Sequence, residues 1–234
     1  MRQAALIAGF GLLIMSGAAP FAEFAVFPKL VIPGNIEQTA QNIAAHRGLF
    51  LAGIFGYLTT FICDVLVAWA LYVLLVPVNK SVSLLTAWFR LIYTVIALFA
   101  LLKLVTVFRL LNTSDYLTVF GPDQLHAQVK LLLDSFRSDW SMGLVLFGIH
   151  LGLLGYLVYR SGYIPGIIGI LLAIDGLGWL IDSLRPYLYP NVHLRFLFIT
   201  FFGELILMAW LLIRGWKIQQ SKVDYRTDAT SSKA

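Results

Sequence analysis

Residues 48–76 read GLFLAGIFGYLTTFICDVLVAWALYVLLV, and Asp64 is the one charged side chain among them. A helix of this length rises about 43 Å at roughly 1.5 Å per residue, more than the ~30 Å hydrocarbon core of a bilayer. The stretch therefore reads as a membrane-spanning helix with an acid near its middle. Working outward, apolar stretches of similar length cover 4–28, 82–110, 138–160, 163–185 and 192–215. This pattern predicts an all-α, polytopic membrane helical bundle with six transmembrane helices over residues 1–216, followed by a basic, disordered tail over 217–234.

Composition agrees. The 234-residue chain is 59% hydrophobic and 12% charged, whereas a soluble domain is about a quarter charged. Little sequence remains for a soluble catalytic domain. The net charge of +5 does not point to nucleic acid, because the basic residues sit at helix ends and in the tail (Arg214, Lys217, Lys222, Arg226, Lys233), as lipid headgroups and membrane orientation require. The lone cysteine, Cys63, lies inside a span, forms no intrachain disulfide and reads as a packing residue. Arg2 and the small residues Ser16 to Ala19 imitate a signal peptide, but Pro20 follows the best cleavage point and the apolar run continues to Ile32, so the first span is expected to be retained. The tail cluster places both termini in the cytoplasm of a multi-pass protein of the plasma membrane.

Turns separate the spans at Pro33-Gly34-Asn35, Pro77 to Lys80, Arg160-Ser161-Gly162 and Arg185-Pro186. In the longest loop, 111–137, Gly121-Pro122-Asp123 resembles a helix start. Leu125, Val129, Leu132 and Phe136 then recur at helical spacing, predicting a short amphipathic helix over 122–136 on the membrane surface or capping the bundle.

The sharpest functional signal is charge at membrane depth. An ionisable side chain at the centre of a spanning helix costs roughly 2.5–3.5 kcal/mol before it finds partners, so it faces the bundle interior. Asp64, His150, Asp175 and Glu204 each lie about a dozen residues from a helix end, near the midplane. Arg90 is closer to the cytoplasmic side, with a side chain long enough to reach Asp64. Shared faces extend these positions: Tyr57 and Thr60 with Asp64; Ser83, Thr86 and Thr94 with Arg90; Gly178, Trp179 and Asp182 with Asp175; His193 and Thr200 with Glu204; Ser16 with Glu23. On the fourth span, Gly148, Gly152 and Gly155 form a face for close helix contact, opposite His150. Asp64, Arg90, His150, Asp175 and Glu204 are thus the primary candidates for a polar site, and Glu23, Asp182, His193 and Thr200 are secondary ones.

Several segments carry a family likeness. They include Leu71-Tyr72 through Pro77-Val78-Asn79-Lys80, Trp88-Phe89-Arg90-Leu91, Phe147-Gly148-Ile149-His150, Tyr156 to Ser161 with Ile164-Pro165, Gly203-Glu204, and Trp210 to Gly215. Over about 47–216 the chain resembles a bacterial membrane family catalogued as domain of unknown function 4386. Gly166 stands where that family usually has an arginine or lysine. The resemblance implies the six-helix bundle and no particular activity.

Three kinds of function fit the residues. Four carboxylates (Glu23, Asp64, Asp175, Glu204) face one arginine, so protons, a cation or water must accompany them in a dry interior. That favours small-solute or proton/ion transport, with Asp175 and Glu204 carrying protons or a cation, His150 relaying, and Arg90 holding Asp64 or an anionic group. The buried charges also fit a membrane interaction or regulatory subunit without catalysis, in which they only tie helices together. An intramembrane metal-dependent enzyme would draw on His150, Asp175 and Glu204, or on His46, His126 and His193. No metal-protease, serine-hydrolase, phosphate-loop or dinucleotide motif is present, and no cofactor or metal site is expected. The sequence does not specify an oligomeric state.

Overall fold

The computed structural model describes residues 1–113, 116, 119–188 and 202–218. Its elements are α1 (Arg2–Leu30), α2 (Ile36–Ala45), α3 (Arg47–Leu75), α4 (Lys80–Asn112), α5 (Pro122–Arg160), α6 (Gly166–Leu188) and α7 (Gly203–Arg214). There is no strand among the described residues. Helices α1, α3, α4, α5 and α6 are each long and apolar enough to cross a membrane. The expected span 192–215 is described only from residue 202 onward, as α7.

The outer surface carries Phe55, Trp69, Trp88, Phe99 and Leu177, each more than half exposed, while Asp64, Arg90 and His150 are fully buried. Apolar side chains outside and ionisable ones inside is the arrangement that hydrocarbon solvent imposes. The chain is a multi-pass, all-α membrane protein.

Local chemistry sets the helix ends. Pro20 and Pro28 bracket a π-helical turn, Phe21–Val26, within α1. Each proline removes a backbone donor, and the widened turn between them absorbs the lost register. Gly34 takes the positive φ of 77° that closes the following turn, where a glycine has no steric cost. Asn35 then caps α2 by accepting from the Gln38 amide, and Asn79 caps α4 by accepting from Val82. The sequence reading did not anticipate α2, whose Thr39, Ala40 and Ile43 are buried against the bundle end.

The region 122–136 is not a separate surface helix. It runs into the following span as one helix of 39 residues. Leu125, Val129 and Phe136 of the expected face are buried, with Leu133 buried in place of the half-buried Leu132, and this face packs α5 against α2 and α4, within the bundle and not against lipid headgroups. Nor does Arg185-Pro186 end the fifth span, because α6 continues to Leu188.

Helices α5 and α6 meet backbone to backbone. A Cβ on Gly155 would lie 2.5 Å from the Gly169 carbonyl, and one on Gly176 would lie 2.6 Å from the Gly148 carbonyl. Only glycine permits this approach. Gly152 would meet nothing within 4 Å. Gly169→Ala should therefore destabilise the purified protein in detergent by about 1–3 kcal/mol through overpacking, whereas Gly152→Ala should leave its thermal unfolding unchanged. Equal melting of the two variants would contradict this contact.

Candidate functional site

Arg90 lies two to three turns into α4 on the stripe that also holds Ser83, Thr86 and Thr94, and all four are buried. The threonines turn back on their own helix: Thr86 Oγ1 donates to the Val82 carbonyl and Thr94 Oγ1 to the Arg90 carbonyl. On α3, Thr60 likewise donates to the Gly56 carbonyl. These hydroxyls satisfy themselves locally and leave the charged groups to find each other.

All three guanidinium nitrogens of Arg90 are engaged. Nε donates to Asp64 Oδ1 on α3 at 2.8 Å, and Nη2 lies 2.8 Å from the same oxygen. Nη1 donates to Glu204 Oε1 on α7 at 2.7 Å and lies 3.1 Å from His150 Nε2 on α5. Nη2 also points at the Met15 sulfur on α1, 3.9 Å away. The Phe147 ring centroid lies 5.4 Å from Cζ, a cation–π distance. One planar fork thus joins α4 to four other helices, which a lysine ammonium cannot do with the same geometry.

The contacts fix the protonation pattern of His150. Its Nδ1 lies 2.8 Å from the Thr86 carbonyl, which can only accept, and its Nε2 faces an arginine N–H, which can only donate. The ring is therefore the neutral tautomer with the proton on Nδ1. With both nitrogens committed to protein partners, His150 orients Arg90.

Asp175 holds the start of α7. Its Oδ2 accepts the Glu204 amide N–H at 3.2 Å, a carboxylate at the positive end of a helix. A Cβ on Gly203 would come within 2.9 Å of both that oxygen and the Leu171 carbonyl, so glycine lets the acid reach the helix terminus. Asp175 is buried, and its Oδ1 makes no hydrogen bond of good geometry, although the Trp179 indole lies close enough to interact with the carboxylate. Asp175 and Glu204 line a cavity of about 290 Å³ walled by α1, α5 and α6, with Ser16, Thr60 and Tyr93 also at its surface. Asp64, Arg90 and His150 stand behind this cavity and do not line it.

A model of a domain of unknown function (DUF4386) matches residues 7–215. The chain belongs to the DUF4386 family. A relative from Archaeoglobus fulgidus, named "Uncharacterized protein", is 36% identical over 186 residues, covering 80% of this chain and 91% of its own. No solved structure matches the chain.

The secondary candidates of this DUF4386 protein lie elsewhere. Glu23, on the π-turn, accepts the Tyr57 hydroxyl and lies 3.8 Å from Arg137. Asp182 lies 3.6 Å from Arg185, one turn along α6 and partly exposed. His193 and Thr200 lie outside the described residues. Among the described residues, no three His, Cys, Asp or Glu side chains converge as a metal-binding group. Sequence reasoning paired Arg90 with Asp64 but did not foresee its bond to Glu204 or the capping role of Asp175. The adjacent Gly203-Glu204 pair is the available signal, since a glycine beside an acid at membrane depth marks a close helix approach.

Replacing Arg90 with alanine leaves the buried Asp64 and the partly buried Glu204 without their counter-ion, so Arg90→Ala should cost about 3–5 kcal/mol of stability in detergent. Arg90→Lys should recover only part of that loss, because an ammonium cannot serve Asp64, Glu204 and His150 from one plane. Thermal unfolding of the three forms checks the order, and a lysine variant as stable as the parent would contradict it.

Proposed function

We propose that this protein moves protons or a small cation, alone or with a small polar solute, across the plasma membrane through the cavity beside Arg90. The carrying observation is the Asp175–Glu204 pair. Both acids line the cavity, and Asp175 Oδ1 has no well-formed hydrogen bond. Arg90 pairs with Asp64 and Glu204 but not with Asp175, and one guanidinium against three acids leaves two negative charges if all three ionise. A low-dielectric interior does not hold that imbalance dry, so a proton or cation must accompany the acids. Such a group can be exchanged where it meets a cavity, and Asp175 and Glu204 are the two acids that do.

In this reading Glu204 is the switch. Its carboxylate is bound to Arg90, and a proton or cation taken up there loosens that bond and leaves the fork on Asp64 and His150. Because Glu204 and the Asp175 contact both sit at the first turn of α7, loss of that charge also changes how α7 is held against α6 and α4. The reading includes a sixth crossing completed within 192–215 and both termini on the cytoplasmic side.

The test is proton flux into liposomes reconstituted with the full chain and carrying an internal pH dye. The parent protein should exceed the leak of protein-free vesicles, and Glu204→Gln and Asp175→Asn should each fall to that leak. Asp182→Asn, on a partly exposed pair away from the cavity, should keep parental flux. Parent flux equal to the protein-free leak, under both a proton gradient and a cation gradient, would overturn the proposal.

A further inference from the structure

A second concave site lies at the other end of α7, where α1, α4 and α6 begin and α3 and α5 end. It is a cleft of about 1330 Å³ whose wall includes Arg160, Tyr163, Trp210, Arg214 and Lys217. No Asp or Glu lines it. Among the described residues, none of its three basic side chains forms an ion pair. Positive charge gathered in one concavity attracts an anion. The buried Leu207 and Leu211 of α7 separate the cleft from Glu204, so it is not part of the Arg90 site.

The cleft wall is pre-shaped. Gly162 turns the α5–α6 loop with φ of 71°. Ser161 Oγ donates to the Val158 carbonyl at 2.7 Å and accepts from the Ile164 amide at 3.2 Å. The Tyr163 hydroxyl donates to the Leu74 carbonyl of α3 at 2.6 Å, pinning the loop to the bundle. α6 starts at Gly166 on the same wall, so its positive dipole end adds to the basic side chains. Tyr159 and Trp216 are 59% and 49% exposed at this level, as aromatics are at the headgroup layer. Lys217 Nζ rests 4.8 Å from the Trp216 ring centroid. Basic side chains around a pinned loop, with an aromatic rim, suit a phosphate group bearing an organic substituent.

We propose that this cleft binds a phosphate-bearing anion through Arg160, Arg214 and Lys217. The same chemistry is offered by the headgroup of an acidic phospholipid in the adjoining leaflet and by a soluble phosphate ester. The experiment uses the full chain in neutral detergent. Binding is titrated with short-chain phosphatidylglycerol, with short-chain phosphatidylcholine, and with glycerol phosphate at constant ionic strength. The same titrations are run on Arg160→Gln/Arg214→Gln and on a control pair at the opposite end, Arg47→Gln/Arg109→Gln. Both pairs are exposed, and unchanged elution and melting confirm their folding; the single Arg160→Gln and Arg214→Gln variants serve if the double variant fails to fold.

Preference for phosphatidylglycerol over phosphatidylcholine, weakened about tenfold in the cleft variant and unchanged in the control, supports a lipid headgroup. Glycerol phosphate binding lost in the cleft variant alone supports a soluble ester. Absence of binding by either phosphate ligand, or equal binding by the cleft variant and the parent, overturns the site.

Discussion

The structure depends on one guanidinium that has nowhere else to go. Arg90 is fully buried in the span that the bilayer surrounds, and its charge is tolerable only because carboxylates arrive from two other helices. Asp64 comes from α3 and Glu204 from α7, while His150 of α5 and Met15 of α1 complete the surroundings. Each partner fixes the depth and rotation of its helix relative to α4. Nonpolar packing alone holds membrane helices weakly, since lipid tails are as apolar as leucine. A buried ion network supplies a specific register that such packing lacks.

Around that hub the remaining contacts divide the work. The glycine pairs Gly155–Gly169 and Gly148–Gly176 bring α5 and α6 to backbone distance, which places Asp175 against the start of α7. Gly203 allows the same close approach from the other side. The excess of acid over base is thereby confined to the two carboxylates that border the cavity, while Asp64 stays locked behind Arg90. The residue that ties the bundle together also sets the charge balance beside the cavity.

Much of this was legible in the sequence because membrane solvent makes strict demands. Spacing on α4 placed Ser83, Thr86, Arg90 and Thr94 on one face, and all are buried. Glycine spacing on α5 identified the face that meets α6. What spacing could not supply was the order in which helices close on one another, so the Arg90–Glu204 bond, between residues 114 positions apart, was invisible. Nor could it show that Asp175 spends one oxygen on a helix terminus. The amphipathic face of 122–136 leaves open whether it lies on the membrane surface or caps the bundle, because an apolar stripe alone does not say which apolar surface it meets; it packs within the bundle, where the unforeseen helix α2 meets it.

The most direct test of the central claim is a pair of double-mutant cycles on thermal or denaturant unfolding in detergent, one crossing Arg90→Gln with Asp64→Asn and the other crossing Arg90→Gln with Glu204→Gln. A shared buried fork predicts coupling of about 0.5–3 kcal/mol in both cycles. Coupling to Asp64 with strictly additive effects at Glu204 would reduce the hub to a single pair and contradict the account.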